Sequence, residues 1–250
     1  MEIHLFPKIL EFAEKNGYII VLAEKQNWYP DLTFIDSENE EVKFALDIKT
    51  SYREPLYPGH INGFTLGSHG KYFKERTSTK NIQFPYSEYL AHYVLGIIYT
   101  RTNFESIDET QVVQVSDVQE EYLSEKTKLK LSDRRIVKLN ELHSIVSVIK
   151  DFEFFVAEKW QIASDRSGSH NTANIGSITY IEDLKKGNGV FAKLGEEWFD
   201  EYWMNYGEVT MIKDRKPIKI TKLSDYLEFK GMDKNLVNPM KTKKKVKKKK

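Results

Sequence analysis

The sequence predicts an α/β (α+β) domain, and three observations carry that prediction. Helical and strand signals alternate along the chain, two alternating strands near the N-terminus flank a polar turn, and 40% hydrophobic with 13% aromatic residues in 250 suffices for a sizeable core.

Pro7, Ile9, Leu10 and Ala13, with Gly17 behind them, predict a short amphipathic helix with proline in its first turn and glycine after its end. Tyr18 to Leu22 then reads as a strand. Leu32 to Ile35, the turn Asp36 to Glu40, and Val42, Phe44, Leu46 and Ile48 alternating with polar or small residues predict a hairpin that buries those four side chains. Residues 50 to 84, rich in Gly, Ser, Thr, Lys and Tyr, predict irregular surface structure. Ser87 to Tyr99 predicts a buried helix running into a strand. Phe152 to Val156 and Trp160 to Ala163 read as two further strands, and Ser164 to Ser177 as a polar loop. Helices follow near Glu196 to Tyr206 and Leu223 to Lys230. No internal repeat is present.

Composition narrows the function. Without cysteine there are neither disulfides nor thiolate zinc sites, and a reducing cytosol is favoured. The N-terminus has no basic stretch leading an apolar core, and no apolar run approaches about 18 residues, so neither a signal peptide nor a membrane span is expected. The net charge of +1 hides an asymmetry: residues 241–250 hold eight lysines, leaving 30 basic against 37 acidic residues ahead of them. A nucleic-acid partner therefore requires locally concentrated positive charge. Phe104 to Glu125 holds seven acidic residues and no Lys or Arg, a stretch expected to face away from phosphates. The lysine-rich end cannot bury apolar surface and is expected to be disordered, either a solvated appendage or a loose DNA-binding arm.

The hairpin carries the chemistry. Asp31 follows Pro30 at the start of its first strand and Asp47 lies near the end of its second, so folding about residue 39 sets them opposite each other. Paired positions have Cβ atoms about 4.5–5.5 Å apart, close enough for two carboxylates to share a hard cation. Lys49, two residues on, shares the face of Asp47. This set suits phosphodiester hydrolysis, in which a metal lowers the pKa of bound water and a lysine steadies or deprotonates it. A plain ion pair of strand-end residues is the alternative, and commoner for an arbitrary hairpin. The short motif decides little, because an acid two residues before a lysine recurs at Glu41, Asp183 and Glu228. Gly187-Asn188-Gly189 imitates a dinucleotide fingerprint but follows a charged segment rather than a strand. The six histidines lack zinc-ligand spacing, and no Gly-x-Ser-x-Gly elbow exists.

Pro30-Asp31, fifteen intervening residues and Asp47-Ile48-Lys49 match the PD-(D/E)xK nuclease pattern. Further runs are more specific: Gln26-Asn27 before Tyr29-Pro30-Asp31, Phe64-Thr65-Leu66-Gly67, Thr79-Lys80-Asn81-Ile82, Tyr89 to Arg101, Lys159-Trp160, and Gly168-Ser169, Asn171-Thr172 and Asn174 to Ile178. Over about residues 7–101 and 152–206 the chain resembles the EcoRV-like type II restriction endonucleases. The resemblance implies a restriction-endonuclease-like mixed central β-sheet flanked by helices, in one catalytic and DNA-binding domain over residues 1–240. It also implies a homodimer gripping double-stranded DNA in a U-shaped cleft, with Asp31 and Asp47 as Mg2+ ligands and Lys49 as the catalytic lysine. Glu2 aligns with an auxiliary glutamate near the metal, and the family's N-terminal dimerisation segment would be missing ahead of it. Gly168, Ser169, His170, Asn171, Thr172 and Asn174 align with the major-groove recognition loop, Gln26 and Asn27 with a loop along the minor groove. His170 replaces a family glycine and Ala173 a threonine. Asn is able to bond bidentately to adenine and a Thr methyl to meet thymine, which fits an A·T-containing site.

The reading is thus a cytoplasmic, bacterial, Mg2+-dependent type II site-specific deoxyribonuclease, cutting GATATC bluntly as the best single guess. A structure-specific repair nuclease of the same superfamily and a non-catalytic DNA-binding protein are the rivals.

Overall fold

Alternating apolar residues on either side of a polar turn form the expected hairpin. Strands β2 (Leu32–Asp36) and β3 (Lys43–Tyr52) pair antiparallel, Leu32 opposite Leu46 and Phe34 opposite Phe44, in a computed structural model that describes residues 2–101 (2–4 as backbone), 149–168, 173–213 and 215–244. β1 (Tyr18–Leu22) adds antiparallel to β2, and β5 (Tyr89–Arg101) adds parallel to β3, so the sheet is mixed, in the order β1-β2-β3-β5-β6 with β6 at Ile149–Glu158. A smaller sheet of β4 (Thr65–Ser68), β8 (Asn174–Ser177) and β7 (Ala163–Ser167), in that order, and a ribbon of β9 (Thr210–Lys213) with β10 (Lys216–Lys219) complete the strands. This is the predicted mixed sheet with helices beside it.

Helix α1 (Glu2–Lys15) packs Ile9 and Ala13 on Leu32, Phe34 and Leu46. A larger core gathers Ala45, Val94 and Ile98 of the sheet with Leu66, Phe73 and Ile82, and with Phe199, Tyr202 and Trp203 of α5 (Glu196–Asn205). The hairpin is therefore covered on both faces. Expectation and structure differ here: Phe44 and Ile48 are only partly buried, while Ala45 and Asp47 on the opposite face are 0% and 4% exposed. The remaining helices are short: α2 (Lys71–Lys74), α3 (Lys159–Ile162), α4 (Ile181–Lys185) and α6 (Leu223–Phe229).

Other expectations are corrected. Pro7 lies inside α1, not in its first turn. Residues 50–84 are no irregular surface, because they carry β4, α2 and the fully buried Ile61, Leu66 and Phe73. Ser87 to Tyr99 is one long strand after a single 3-10 turn at Tyr86–Glu88, not a helix then a strand. Trp160 belongs to α3, and the strand starts at Ala163. The polar stretch from Ser164 to Ser177 is mostly the facing strands β7 and β8.

Met1–Tyr99 with Phe152–Lys250 forms one compact unit and Thr100–Asp151 another. The acidic stretch Phe104 to Glu125 lies outside the described residues, as do 245–250 of the lysine-rich end.

Candidate active site

Asp31 and Asp47 are the next residues beyond the last pair of the ladder, Leu32 opposite Leu46, and both line the cleft that the hairpin reaches. Asp31 Oδ2 accepts a 2.6 Å bond from the Ile48 amide, and Lys49 Nζ lies 2.8 Å from Asp47 Oδ2. The two carboxylates and the ammonium predicted from sequence therefore meet. Asp31 is held by its neighbours. The Tyr29 amide donates to Asn81 O at 3.1 Å, the Gln83 amide to Tyr29 O at 2.9 Å and Gln83 Nε2 to Pro30 O at 2.7 Å, strapping the Tyr29-Pro30 segment to residues 81–83. The Gln83 side-chain oxygen also accepts from Thr33 Oγ1 at 2.8 Å, tying the strap to β2.

Beneath the carboxylates lies an aromatic floor. Tyr29 stacks on Tyr72 and Tyr86 with centroids 5.5 and 6.3 Å apart, and its hydroxyl meets His92 Nδ1 at 3.0 Å. Burial drives the His92 imidazole well below its ordinary range, so the ring is neutral. Lys159, 2% exposed, sets its ammonium 4.8 Å from the Tyr29 ring centre, and burial pulls it down to about 8 against the pull of Asp47 and Asp200. This low-polarity floor also acts on Asp31. Desolvation, then the Asp47 charge, push its carboxyl up from 3.8 to about 6, although Lys49 and the Ile48 amide oppose the rise.

A carboxylate pair in which the charge of Asp47 helps to push the Asp31 carboxyl up fits a divalent cation, which removes the repulsion. Among the described residues no cluster of three His, Asp or Glu occurs. Two protein carboxylates with water and phosphate oxygens suit Mg2+, which keeps much of its hydration.

A cavity of about 450 Å³ opens over this pair and is lined by Gln26, Asn27, Asp31, Asp47, Lys49 and Asn174. Residues from three separate sequence segments thus share one cleft. Lys71 and Lys80 line it as well and were not singled out as site residues by sequence. They give it more cationic than anionic side chains, the local charge that a net-acidic body requires. Lys80 lies in a run already noted for its resemblance; Lys71 has no local mark. A second cavity, about 920 Å³, begins at Lys49 and reaches Arg166, Ser167 and Gly168. The Gly168 amide donates to Asn174 O at 2.8 Å, closing the neck of the predicted recognition loop. Ser169, His170, Asn171 and Thr172 lie outside the described residues, as does the side chain of Glu2. Gly189, of the dinucleotide-like triplet, is explained by packing, since a Cβ there would lie 2.5 Å from Gln161 O.

The family model for the restriction endonuclease EcoRV matches residues 1–130 and 122–231, and the type II restriction enzyme EcoRV of Escherichia coli is 33% identical over 222 residues, 88% of this chain and 78% of that protein. The chain belongs to the EcoRV restriction endonuclease family. It is accordingly a type II restriction endonuclease, a DNA-binding hydrolase, and its mixed sheet with flanking helices fits that assignment. The EcoRV family match stops before the lysine-rich end.

Proposed function

We propose that this protein cuts both strands of double-stranded DNA at a short palindrome, with GATATC and a blunt cut as the specific reading. The observation that carries the chemistry is the opposition of Asp31 and Asp47 with Lys49 against Asp47, in the cleft that also holds Gln26, Asn27 and Asn174. Asp31 and Asp47 would hold Mg2+, which when bound polarises the scissile phosphate and acidifies an attacking water. Lys49 orients that water or takes its proton. Gln26 and Asn27 track the minor groove, while Gly168 to Asn174 reads base edges in the major groove through Asn171 and Thr172. Glu2 assists near the metal. Cutting both strands of a palindrome requires two sites related by a twofold axis, hence a homodimer. Among the described residues no helix is long and apolar enough to cross a membrane, and a restriction enzyme acts where it meets invading DNA, the bacterial cytoplasm.

Digestion of a plasmid of known sequence with Mg2+, followed by mapping of the ends, tests this reading. Discrete fragments ending in the middle of GATATC are expected. A smear, or nicks confined to junctions, would favour a structure-specific repair nuclease, and intact DNA with stable binding a non-catalytic protein.

A further inference from the structure

The chain beyond the family match does not simply leave the body. Asn238 pins it: its amide donates to Val190 O at 3.1 Å and its Nδ2 to Asn188 O at 3.0 Å and Gly189 O at 3.1 Å. From that pin, Met240 to Lys243 line the larger cavity together with Lys49, Thr50 and Gly168. Lys241 Nζ lies 3.8 Å from the Tyr180 ring centre and 4.0 Å from Asp183 Oδ1, and Lys243 Nζ lies 3.7 Å from Glu54 Oε1 and 5.7 Å from the Tyr57 ring centre. The first residues of the lysine-rich end, expected to be disordered, thus rest on two carboxylates and two aromatic faces.

We infer that Met240–Lys243 is an arm for the DNA backbone, parked on Asp183 and Glu54 until duplex phosphates replace those carboxylates. The inference rests on the nuclease reading. A duplex with a phosphate at Lys49 and base edges at the loop whose neck is Gly168 runs along the cavity that Met240–Lys243 help to line. The parking contacts are long, 4.0 and 3.7 Å, and although Asp183 and Glu54 are largely covered, the Lys241 and Lys243 side chains stay 55% and 30% exposed, open to exchange partners. Duplex DNA carries a phosphate about every 1.7 Å of axis and releases condensed counterions when lysines neutralise them, so the exchange favours the DNA. The Asn238 anchor keeps both ammonium groups beside the groove and limits the entropy lost when they engage.

Fluorescence anisotropy with a labelled duplex in Ca2+ between 50 and 200 mM NaCl tests the arm. Each lost phosphate contact lowers the salt slope by about 0.9, so Lys241→Ala with Lys243→Ala flattens it by about 2, and wild type loses about tenfold more affinity over that range than the variant. Lys241→Arg with Lys243→Arg keeps the slope. Asp183→Asn with Glu54→Gln tightens binding in the wild-type background and changes nothing once both lysines are alanine. Equal slopes for wild type and the alanine variant overturn the arm while leaving the nuclease reading intact. Tighter binding by the alanine variant overturns it too, since the segment would then be an obstacle. Failure of wild type to bind duplex at all defeats both.

Discussion

Lys49 Nζ sits 2.8 Å from Asp47 Oδ2, and the Asp47 side chain is only 6% exposed, so a buried carboxylate is ion-paired with a lysine two residues on. The two residues should fail differently when removed. If Asp47 is a metal ligand as proposed, Asp47→Ala should abolish both cleavage and any Mg2+-dependent rise in melting temperature. Lys49→Ala keeps both carboxylates and removes a cation that competes with Mg2+. Metal-linked stabilisation therefore persists while the single-turnover rate drops about 10²- to 10⁴-fold. Thermal melts with and without Mg2+, run beside quenched-flow cleavage, separate the two. Substantial cleavage by either folded variant would remove it from the active site.

Asp31 gives a pH-dependent stability test. Its carboxyl is raised from 3.8 to about 6, so the charged form is disfavoured in the folded protein. Below about pH 3.8 the group is neutral folded or unfolded and costs nothing; the cost grows as pH rises and is complete above about 6. The full displacement would be worth about 3 kcal/mol, but Asp31 is solvent-exposed as a residue, and screening leaves about 1 kcal/mol. In EDTA at pH 7.5, Asp31→Asn should therefore be more stable than wild type by that amount in urea melts, with the gain gone by pH 4. Mg2+ should reverse the order at pH 7.5. A variant less stable than wild type at pH 7.5 in EDTA would contradict the repulsion.

The hairpin of the candidate active site was legible because its register depends on local signals: a polar turn, and an alternation that a one-residue slip would invert. That is why Asp31 and Asp47 fell opposite each other. Tyr89–Arg101 was misread because a central strand with many buried residues shows a run of apolar residues without clean alternation, which also fits a buried helix. Ile61, Leu66 and Phe73 were assigned to the surface because their neighbours are polar and glycine-rich, and their burial comes from contacts with distant elements such as α5. Lys71 carries no local mark distinguishing a cleft lysine from any other, and Lys80 was marked only by the resemblance of its run. Asp47 was identified but its burial was not, since the second layer over the hairpin is assembled from distant sequence.

Gly67 lies in a run first noted only for resemblance, and the structure gives it a physical role. Its φ is +83°, and a Cβ there would meet Tyr72 Oη at 3.1 Å, Lys159 Nζ at 3.6 Å and Tyr29 Cδ2 at 3.7 Å. Tyr72 Oη is itself fixed by the Ser68 amide at 3.1 Å. Gly67→Ala should cost about 1–2 kcal/mol through backbone strain alone. It should also slow cleavage, because the displaced tyrosines lie beneath Asp31 and Asp47. A denaturation midpoint and a cleavage rate both matching wild type would show that this floor tolerates movement.

Sequence discrimination should reside in Gly168 to Asn174, the polar segment between β7 and β8 whose neck opens onto the cavity shared with Lys49. Asn171 is the first residue to test, because its amide NH2 is able to donate to adenine N7 while its C=O accepts from adenine N6 in the major groove. Asn171→Ala should remove about 1–3 kcal/mol of discrimination, so the rate at the true site falls while rates at single-substitution sites change much less. Asp31, Asp47 and Lys49 remain able to hydrolyse whatever DNA is presented to them. His170 adds a second readout. An ordinary imidazole titrates near pH 6.5, so if His170 contacts DNA, discrimination should vary between about pH 5.5 and 7.5, and His170→Gly should abolish that dependence. The measurement is single-turnover cleavage of cognate and substituted duplexes by wild type and both variants across that pH range. Equal rate loss on every duplex for Asn171→Ala would assign the residue to folding or catalysis, and base reading would have to lie elsewhere in the cleft.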